Sequence, residues 1–196
     1  MVKKILSGLL VFTCVLSLSI GMVSANEVSS DRLSKDEIHD LLKMYKAAFN
    51  GNVDEWDYSK ANDISVSDKE IEDAYNQIYS EDNQISTRAT IAFSTYFNST
   101  KTKWVNRSNG ITLSCYYKPN AIFTSLPNAT MVNAQKAFEQ LKKKFSGSKN
   151  WKNTQSMQAQ FHCHVTTVGK LKNPWNIEPW RTESNLVKVV AAGCNP

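Results

Sequence analysis

The last third of the chain, residues 157–196, constrains the fold most strongly, because cysteines, tryptophans and prolines are concentrated there. Cys163 and Cys194 lie near its two ends, and residues 174–181 between them hold two tryptophans and two prolines. Tryptophan rings bury a large apolar area, and proline restricts the backbone beside them. This composition predicts a compact core in which the segment between the cysteines is held in place.

The first 25 residues have the pattern of a secretory signal peptide. Lys3 and Lys4 provide a positive start, residues 5–20 are largely apolar, and Val-Ser-Ala at 23–25 is a small-residue cleavage sequence. The apolar run is short for a membrane-spanning helix, and polar residues follow it at once. We therefore expect a secreted, extracellular mature chain, residues 26–196, without a transmembrane segment.

Three cysteines remain after cleavage: Cys115, Cys163 and Cys194. An exported protein can keep disulfides, and an odd number leaves one thiol unpaired. Because Cys163 and Cys194 flank the densest stretch, we predict a disulfide between them and a free, buried Cys115 on a strand. A bridge from Cys115 to either of the other two is the alternative.

Charge divides the mature chain into two halves. Residues 26–100 hold 15 acidic and 7 basic side chains, a net charge of −8, and residues 101–196 hold 3 acidic and 14 basic side chains, a net charge of +11. Opposite charges indicate two units that attract each other. They also allow a basic unit that meets an anionic partner such as wall polymer, lipid or nucleic acid.

The acidic half has two helix signals. Ser34 to Glu37 and Ser67 to Glu70 are capping boxes. The first helix should bury one stripe of apolar side chains, namely Ile38, Leu41, Leu42, Tyr45 and Phe49. With a hinge at residues 81–88, the sequence predicts a small acidic helical segment at 26–88 and a basic domain at 89–196.

Strand signals begin in the basic domain. Residues 91–96 alternate weakly, and residues 104–107 and 111–117 flank Asn109-Gly110, which favours a hairpin with a type I′ turn. Residues 155–168 also read as a strand, whereas the proline-rich residues 175–181 indicate irregular structure.

Two further helices are predicted there. The longest, residues 128–145, has an apolar side chain every three or four positions, and Gly147 ends it. The last begins at a cap on Thr182 or Ser184 and ends before Gly193. The fold class is therefore α+β: a small helical segment, then a compact two-layer domain with a hairpin, a long helix, a further strand and a disulfide-tied C-terminal helix.

Two histidines raise the question of a metal. On a strand, His162 and His164 would share a face about 7 Å apart, and a zinc site would add a ligand such as His39 or a cysteine. An exported cysteine is more often oxidised, and the sequence has no C-x-x-C spacing. We therefore predict no metal and no cofactor, with His164 as a hydrogen-bonded core histidine.

Glu178 and Arg181 form an acid–base pair among tryptophans and prolines. As a catalytic pair, Glu178 would be a general acid or base and Arg181 an anion clamp, with His164 as the third residue of a hydrolase. As a structural pair, they would order their loop. We favour the structural interpretation, since Glu183 is the only other acid after Glu139 and the sequence lacks the common hydrolase, zinc-protease, P-loop and EF-hand motifs.

Lysines and tryptophans offer binding candidates. Lys142, Lys143 and Lys144 crowd the end of the long helix, where they complement its dipole. Trp151, with the three other tryptophans of the basic half, would suit a carbohydrate platform, although four tryptophans in so short a region more often fill a core. The sequence has no specific nucleic-acid motif.

Several short motifs of the basic half, taken together, resemble one family. They are Trp104-x-Asn106-Arg107, Leu113-Ser114, Trp151-x-Asn153, Met157-x-x-Gln160-Phe161-x-Cys163-His164, Trp175-Asn176-x-Glu178-Pro179-x-Arg181 and Cys194-Asn195-Pro196. The pattern resembles the DUF2599 type, domains of unknown function at the C-termini of exported Gram-positive bacterial proteins. The resemblance implies export and a Cys163–Cys194 bridge, and it implies no catalytic role.

These observations favour a non-catalytic protein of the cell envelope or the extracellular space. Its partner would be an anionic cell-envelope polymer or an extracellular protein. The alternative is an exported hydrolase that uses Glu178, Arg181 and His164.

Overall fold

Helices and strands both occur in the computed structural model, which describes residues 32–50, 61–79 and 91–196. The helices are α1 Lys35–Asn50, α2 Asp68–Tyr79, α3 Phe93–Tyr96, α4 Pro119–Ile122, α5 Pro127–Phe145, α6 Thr154–Thr166 and α7 Leu186–Ala191. The strands are β1 Lys103–Arg107, β2 Gly110–Cys115 and β3 Trp175–Ile177, and a 3₁₀ turn spans Gly169–Leu171. This mixture confirms the α+β fold class.

Two predicted features lie outside the described residues. They are the signal peptide at residues 1–25 and the hinge at 81–88. The division into an acidic segment and a basic domain at that hinge therefore stays a prediction. Within the described part of the chain, no helix is both long enough and apolar enough to cross a membrane.

The N-terminal helices begin at the predicted capping boxes. The Ser34 backbone N–H donates to the Glu37 carboxylate at 2.7 Å, and the Glu37 N–H donates back to Ser34 Oγ at 3.2 Å. Ser67 and Glu70 make the same exchange. One position of the stripe was predicted wrongly: Phe49 is 42% exposed, and Met44 is buried instead. The rest of the stripe joins the same apolar cluster as α5.

The sheet has the order β1-β2-β3, with both neighbouring pairs antiparallel. The hairpin is confirmed, but its turn type is wrong. Arg107 pairs with Gly110, so the two-residue loop is Ser108-Asn109, and Gly110 rather than Asn109 has a positive φ, of 136°.

Three segments of the basic domain differ from the prediction. Residues 155–168 were expected to form a strand, but α6 occupies most of them. The third strand, β3, lies in the segment predicted to be irregular, and residues 91–96 contain the short helix α3 instead of a strand. In α6 nearly every residue from Ser156 to Thr166 is buried, so the helix has no polar face to reveal its period.

Part of the apolar core lies between the sheet and the helices α5 and α6. Phe161 of α6 contacts Trp175 of β3 and Phe138 of α5, with ring centroids 5.4 Å and 5.8 Å apart. Tyr117 stacks on Trp175 at 3.8 Å. Trp175 and Phe161 are fully buried, which explains why β3 is fixed although it is only three residues long.

A disulfide joins Cys163 on α6 to Cys194 after α7, as predicted. Among the described residues Cys115 is the free cysteine, and it is buried, which raises the pKa of its thiol. α7 begins later than expected: its cap is Asn185, whose side chain accepts from the Lys188 N–H at 3.1 Å. Gly193 and Cys194, with φ values of 68° and 72°, end the helix.

Reduction of the disulfide should loosen α7 first. The bridge closes a sequence separation of 31 residues, so its loss should cost roughly 3.5 kcal/mol on the chain-entropy model. Hydrogen exchange should rise in residues 186–194 before it rises in β2 or α5. Thiol titration of the oxidised protein should find one free thiol at Cys115, and Cys115→Ala should leave α7 protected. Faster exchange in β2 than in α7 after reduction would contradict this expectation.

Candidate functional site

Helix α6 satisfies the outer edge of β3 with two side chains. Gln160 Oε1 accepts from the Glu178 N–H at 2.8 Å, and Gln160 Nε2 donates to the Glu178 carbonyl at 3.1 Å. His164 Nε2 donates to the Asn176 carbonyl at 3.1 Å. Gln160 and His164 are four residues apart and share one face of the helix. They act as the missing neighbour strand for an edge that would otherwise hold unpaired backbone groups.

The Glu178–Arg181 pair lies at the end of β3. The Glu178 carboxylate accepts from Arg181 Nε and from Asn109 Nδ2, the latter at 3.2 Å. The side chain of Glu178 is 8% exposed and that of Arg181 is 21% exposed. The Arg181 guanidinium lies 4.3 Å from the centroid of the Trp180 ring. A carboxylate buried to this extent is held by its two partners, and it ties the loop to the hairpin.

Gly110 is shaped for the same contact. A Cβ on this residue would lie 2.8 Å from Trp180 Nε1, and the positive φ already disfavours other residues. The hairpin therefore contacts the loop after β3 at two adjacent residues, Asn109 and Gly110.

The sheet face opposite the core is polar. Leu113 and Ile177 point into the core, so their neighbours Ser114 and Asn176 point the other way. Ser114 Oγ donates to Asn176 Oδ1 at 2.8 Å, and Arg107 Nη2 reaches both side chains at 3.3 Å and 3.4 Å. Sequence reasoning missed this network and Gln160. The four-residue spacing of Gln160 and His164 could have indicated the role of Gln160, but only if residues 155–168 had been predicted to be helical.

His164 lies at the outer edge of β3. Burial lowers the pKa of His164 to about 4, so its ring is neutral at pH 7. His164, Glu178 and Arg181 line neither the cavity of about 250 Å³ beside His162 nor the groove of about 700 Å³ beside α4. In the structure, His164 binds a backbone carbonyl, and Glu178 and Arg181 bind each other.

His162 has a separate polar network. Its Nδ1 accepts from the Tyr45 hydroxyl at 3.0 Å, and its Nε2 donates to Gln135 Oε1 at 2.9 Å. Gln135 in turn donates to Glu139 at 2.8 Å. Burial lowers the pKa of His162 to about 3. The ring also lines a cavity of about 250 Å³ between α1, α6 and the residues before α7.

The expected shared face of His162 and His164 is wrong. Two residues apart on a helix means a turn of about 200°, so the rings point to opposite sides. His39 lies on α1 beside Asp40, 3.3 Å away. Across residues 32–50, 61–79 and 91–196, no group of three His, Cys, Asp or Glu side chains is placed to hold a metal ion.

The binding candidates are partly engaged in packing. Trp151 is half-buried, and its Nε1 donates to Thr154 Oγ1 at 2.8 Å. Lys144 Nζ lies 3.9 Å from the Phe93 ring centroid and donates to the Ser99 carbonyl at 3.4 Å. Lys143 is exposed. Lys144 therefore contacts α3 and the turn after it, so the lysines at the end of α5 do not all face solvent as one binding surface.

A family model described as protein of unknown function (DUF2599) matches residues 99–196. The chain belongs to the DUF2599 family. No curated protein and no solved structure matches it. The DUF2599 region begins just before β1 and includes α4 to α7, so it contains every contact of the β3 edge and of the Glu178–Arg181 pair.

Removing the Gln160 amide should destabilise the DUF2599 region strongly. In Gln160→Leu, one buried N–H and one buried C=O of Glu178 lose their partners, which should cost about 2–4 kcal/mol. The matched control is Gln158→Leu on the same helix. Gln158 does not bind the Glu178 backbone, and its substitution removes a single hydrogen bond to Gln135. Denaturant unfolding measures both variants, and an equal loss in the two would contradict the role given to Gln160.

The buried histidines should make the protein less stable in acid. Both folded-state pKa values lie below the ordinary value of about 6.5, so the unfolded chain binds more protons as the pH falls. The stability that each histidine contributes is present above pH 6.5 and is lost as the pH falls toward about 4 for His164 and about 3 for His162, with a loss of about 2 kcal/mol per histidine at pH 5. His162→Gln and His164→Gln should each show a smaller loss between pH 7 and pH 5. Identical losses in wild type and variants would exclude the histidines as the cause.

Proposed function

We propose that this DUF2599 protein is exported and that its basic half, residues 101–196, binds an anionic polymer of the cell envelope without catalysing a reaction. The main support is charge. Glu178 is paired with Arg181, and Glu183 faces Lys188, whose Nζ lies 3.6 Å from its carboxylate. Much of the basic charge, in contrast, is exposed: Lys101, Lys103, Lys118, Lys143, Lys144, Lys149, Lys152, Lys170 and Lys172.

Uncompensated lysines favour an anionic partner for a physical reason. A net charge of +11 over 96 residues raises the local concentration of a polyanion and speeds its association. Each contact with a repeating anion releases counterions from the polymer, so many weak contacts add up to useful affinity. A long envelope polymer offers such repeated anions, whereas a neutral partner does not.

Export is supported by two independent features. The first 25 residues have the signal-peptide pattern, and the Cys163–Cys194 disulfide is of a kind that persists outside the reducing cytosol. A secreted protein of this kind meets the envelope polymers directly.

The hydrolase alternative has less support. A general acid or base must reach the proton it transfers, and the Glu178 carboxylate is buried against Arg181 and Asn109. His164, buried and neutral, donates its Nε2 proton to a backbone carbonyl. These positions serve the fold, which leaves binding as the better-supported function.

Retention on a polyanion should fall steeply with salt. The mature protein, residues 26–196, should bind immobilised poly(glycerol phosphate) at low ionic strength, and the logarithm of its affinity should decline linearly with the logarithm of the salt concentration. A neutral dextran matrix is the control and should retain nothing. Absence of retention at low salt, or retention that salt leaves unchanged, would refute the proposed function. Retention by an acidic extracellular protein alone would point to the other class of partner.

A further inference from the structure

A groove of about 700 Å³ opens where the sheet meets α4. Its polar lining consists of Asn98, Lys101, Tyr116, Lys118, Asn120 and Asn173, and no described residue that lines it is acidic. The size is within the range of sites for small ligands or short polymer segments. Two lysines, three amides and an aromatic ring with no carboxylate indicate a ligand that carries both negative charge and hydroxyl groups.

The turn at one wall fixes the orientation of Asn98. Its Oδ1 accepts from the Lys101 N–H at 3.0 Å, and from the N–H and Oγ1 of Thr100 at 3.2 Å and 2.9 Å. The backbone N–H of Asn98 donates to the Tyr116 carbonyl at 2.8 Å. These three hydrogen bonds to Oδ1 fix the orientation of the Asn98 amide. Its Nδ2 group has no partner in the described part of the chain and stays available as a donor.

Asn173 offers the complementary group. Its Nδ2 donates to the Tyr117 carbonyl at 2.9 Å, so its Oδ1 is left as an acceptor without a partner among the described residues. The groove therefore presents one fixed amide donor and one fixed amide acceptor. Hydroxyl groups, which both donate and accept, suit this pair.

The positive charges are also positioned. Lys118 Nζ donates to the Ser94 carbonyl at 2.6 Å, and Lys101 Nζ lies 5.9 Å from the centroid of the Tyr116 ring. Lys144, on the Ser99 carbonyl, adds a third ammonium group beside the same turn. Lysine ammonium groups bind phosphate oxygens as point charges. None of the described residues that line the groove carries an acidic side chain that would neutralise them.

We propose that this groove binds a phosphodiester-linked polyol chain, with phosphate at Lys101 and Lys118, hydroxyls at Asn98 and Asn173, and the carbon backbone against Tyr116. The proposal rests on the proposed function, since it places the polyanion at one site and names its chemistry. Glycerol phosphate groups occur in free polymers and in lipid headgroups. The groove is open to solvent rather than enclosed, and we assign it to the soluble chain.

The experiment titrates the oxidised mature protein with soluble glycerol phosphate oligomers and, separately, with phosphatidylglycerol vesicles. Calorimetry compares wild type with Lys101→Gln/Lys118→Gln and with the control Lys35→Gln/Lys69→Gln, which removes the same charge from exposed positions on α1 and α2, outside the basic half. We expect at least tenfold weaker oligomer binding (about 1.4 kcal/mol) in the groove variant and less than a threefold change in the control. Amide shifts of wild type should move at residues 98–101, 116–121 and 173, a readout that needs no variant.

The outcomes separate the two proposals. If wild type binds neither oligomer nor vesicle, the proposed function fails. If wild type binds the oligomer but both double variants lose affinity equally, or the control loses more, the function stands and the groove is not its site. Binding to vesicles alone would also overturn the assignment of a soluble polyol chain.

Discussion

Strand β3 ends the sheet, and its outer edge carries backbone N–H and C=O groups that must find partners away from water. The fold solves this with the side chains of a buried helix, because the Gln160 amide pairs with both backbone groups of Glu178 and His164 takes the Asn176 carbonyl. The position of the Glu178–Arg181 pair, and its contact with the hairpin, follow from this one arrangement. Together with the burial of Trp175, this arrangement holds in place a strand of only three residues.

Local signals predicted the parts of the fold that local chemistry decides. The two capping boxes placed α1 and α2, and the apolar period placed α5 within one residue of its observed start. α6 was missed because nearly all of its residues are buried. Apolar and polar side chains therefore do not recur at the helical period. β3 was missed because its partners are remote: its pairing to β2 and the stack of Trp175 on Tyr117 depend on residues about 60 positions away.

The sequence likewise predicted only the part of the candidate site that depends on residues near each other in the chain. The sequence identified Glu178 and Arg181 as a pair, and the structure contains that ion pair, while the structural role favoured for it stays a prediction. It gave no hint of the groove, because the groove depends on which way the amides of Asn98 and Asn173 are turned by their own hydrogen bonds. Composition indicated a basic half, but the arrangement of its free hydrogen-bond donors and acceptors depends on the folded structure.

Each side of helix α6 contacts a different neighbour. Phe161 packs in the core, His162 binds side chains of α1 and α5, and Cys163 is bonded to Cys194 near the end of the chain. Gln160 and His164 bind the sheet. A single residue inserted in the middle of this helix would rotate everything beyond it by about 100° and bring each side chain to the wrong neighbour. The length of α6 is therefore as constrained as its composition. Insertions and deletions within the family should accumulate in the exposed turns and leave residues 160–164 in an unbroken run.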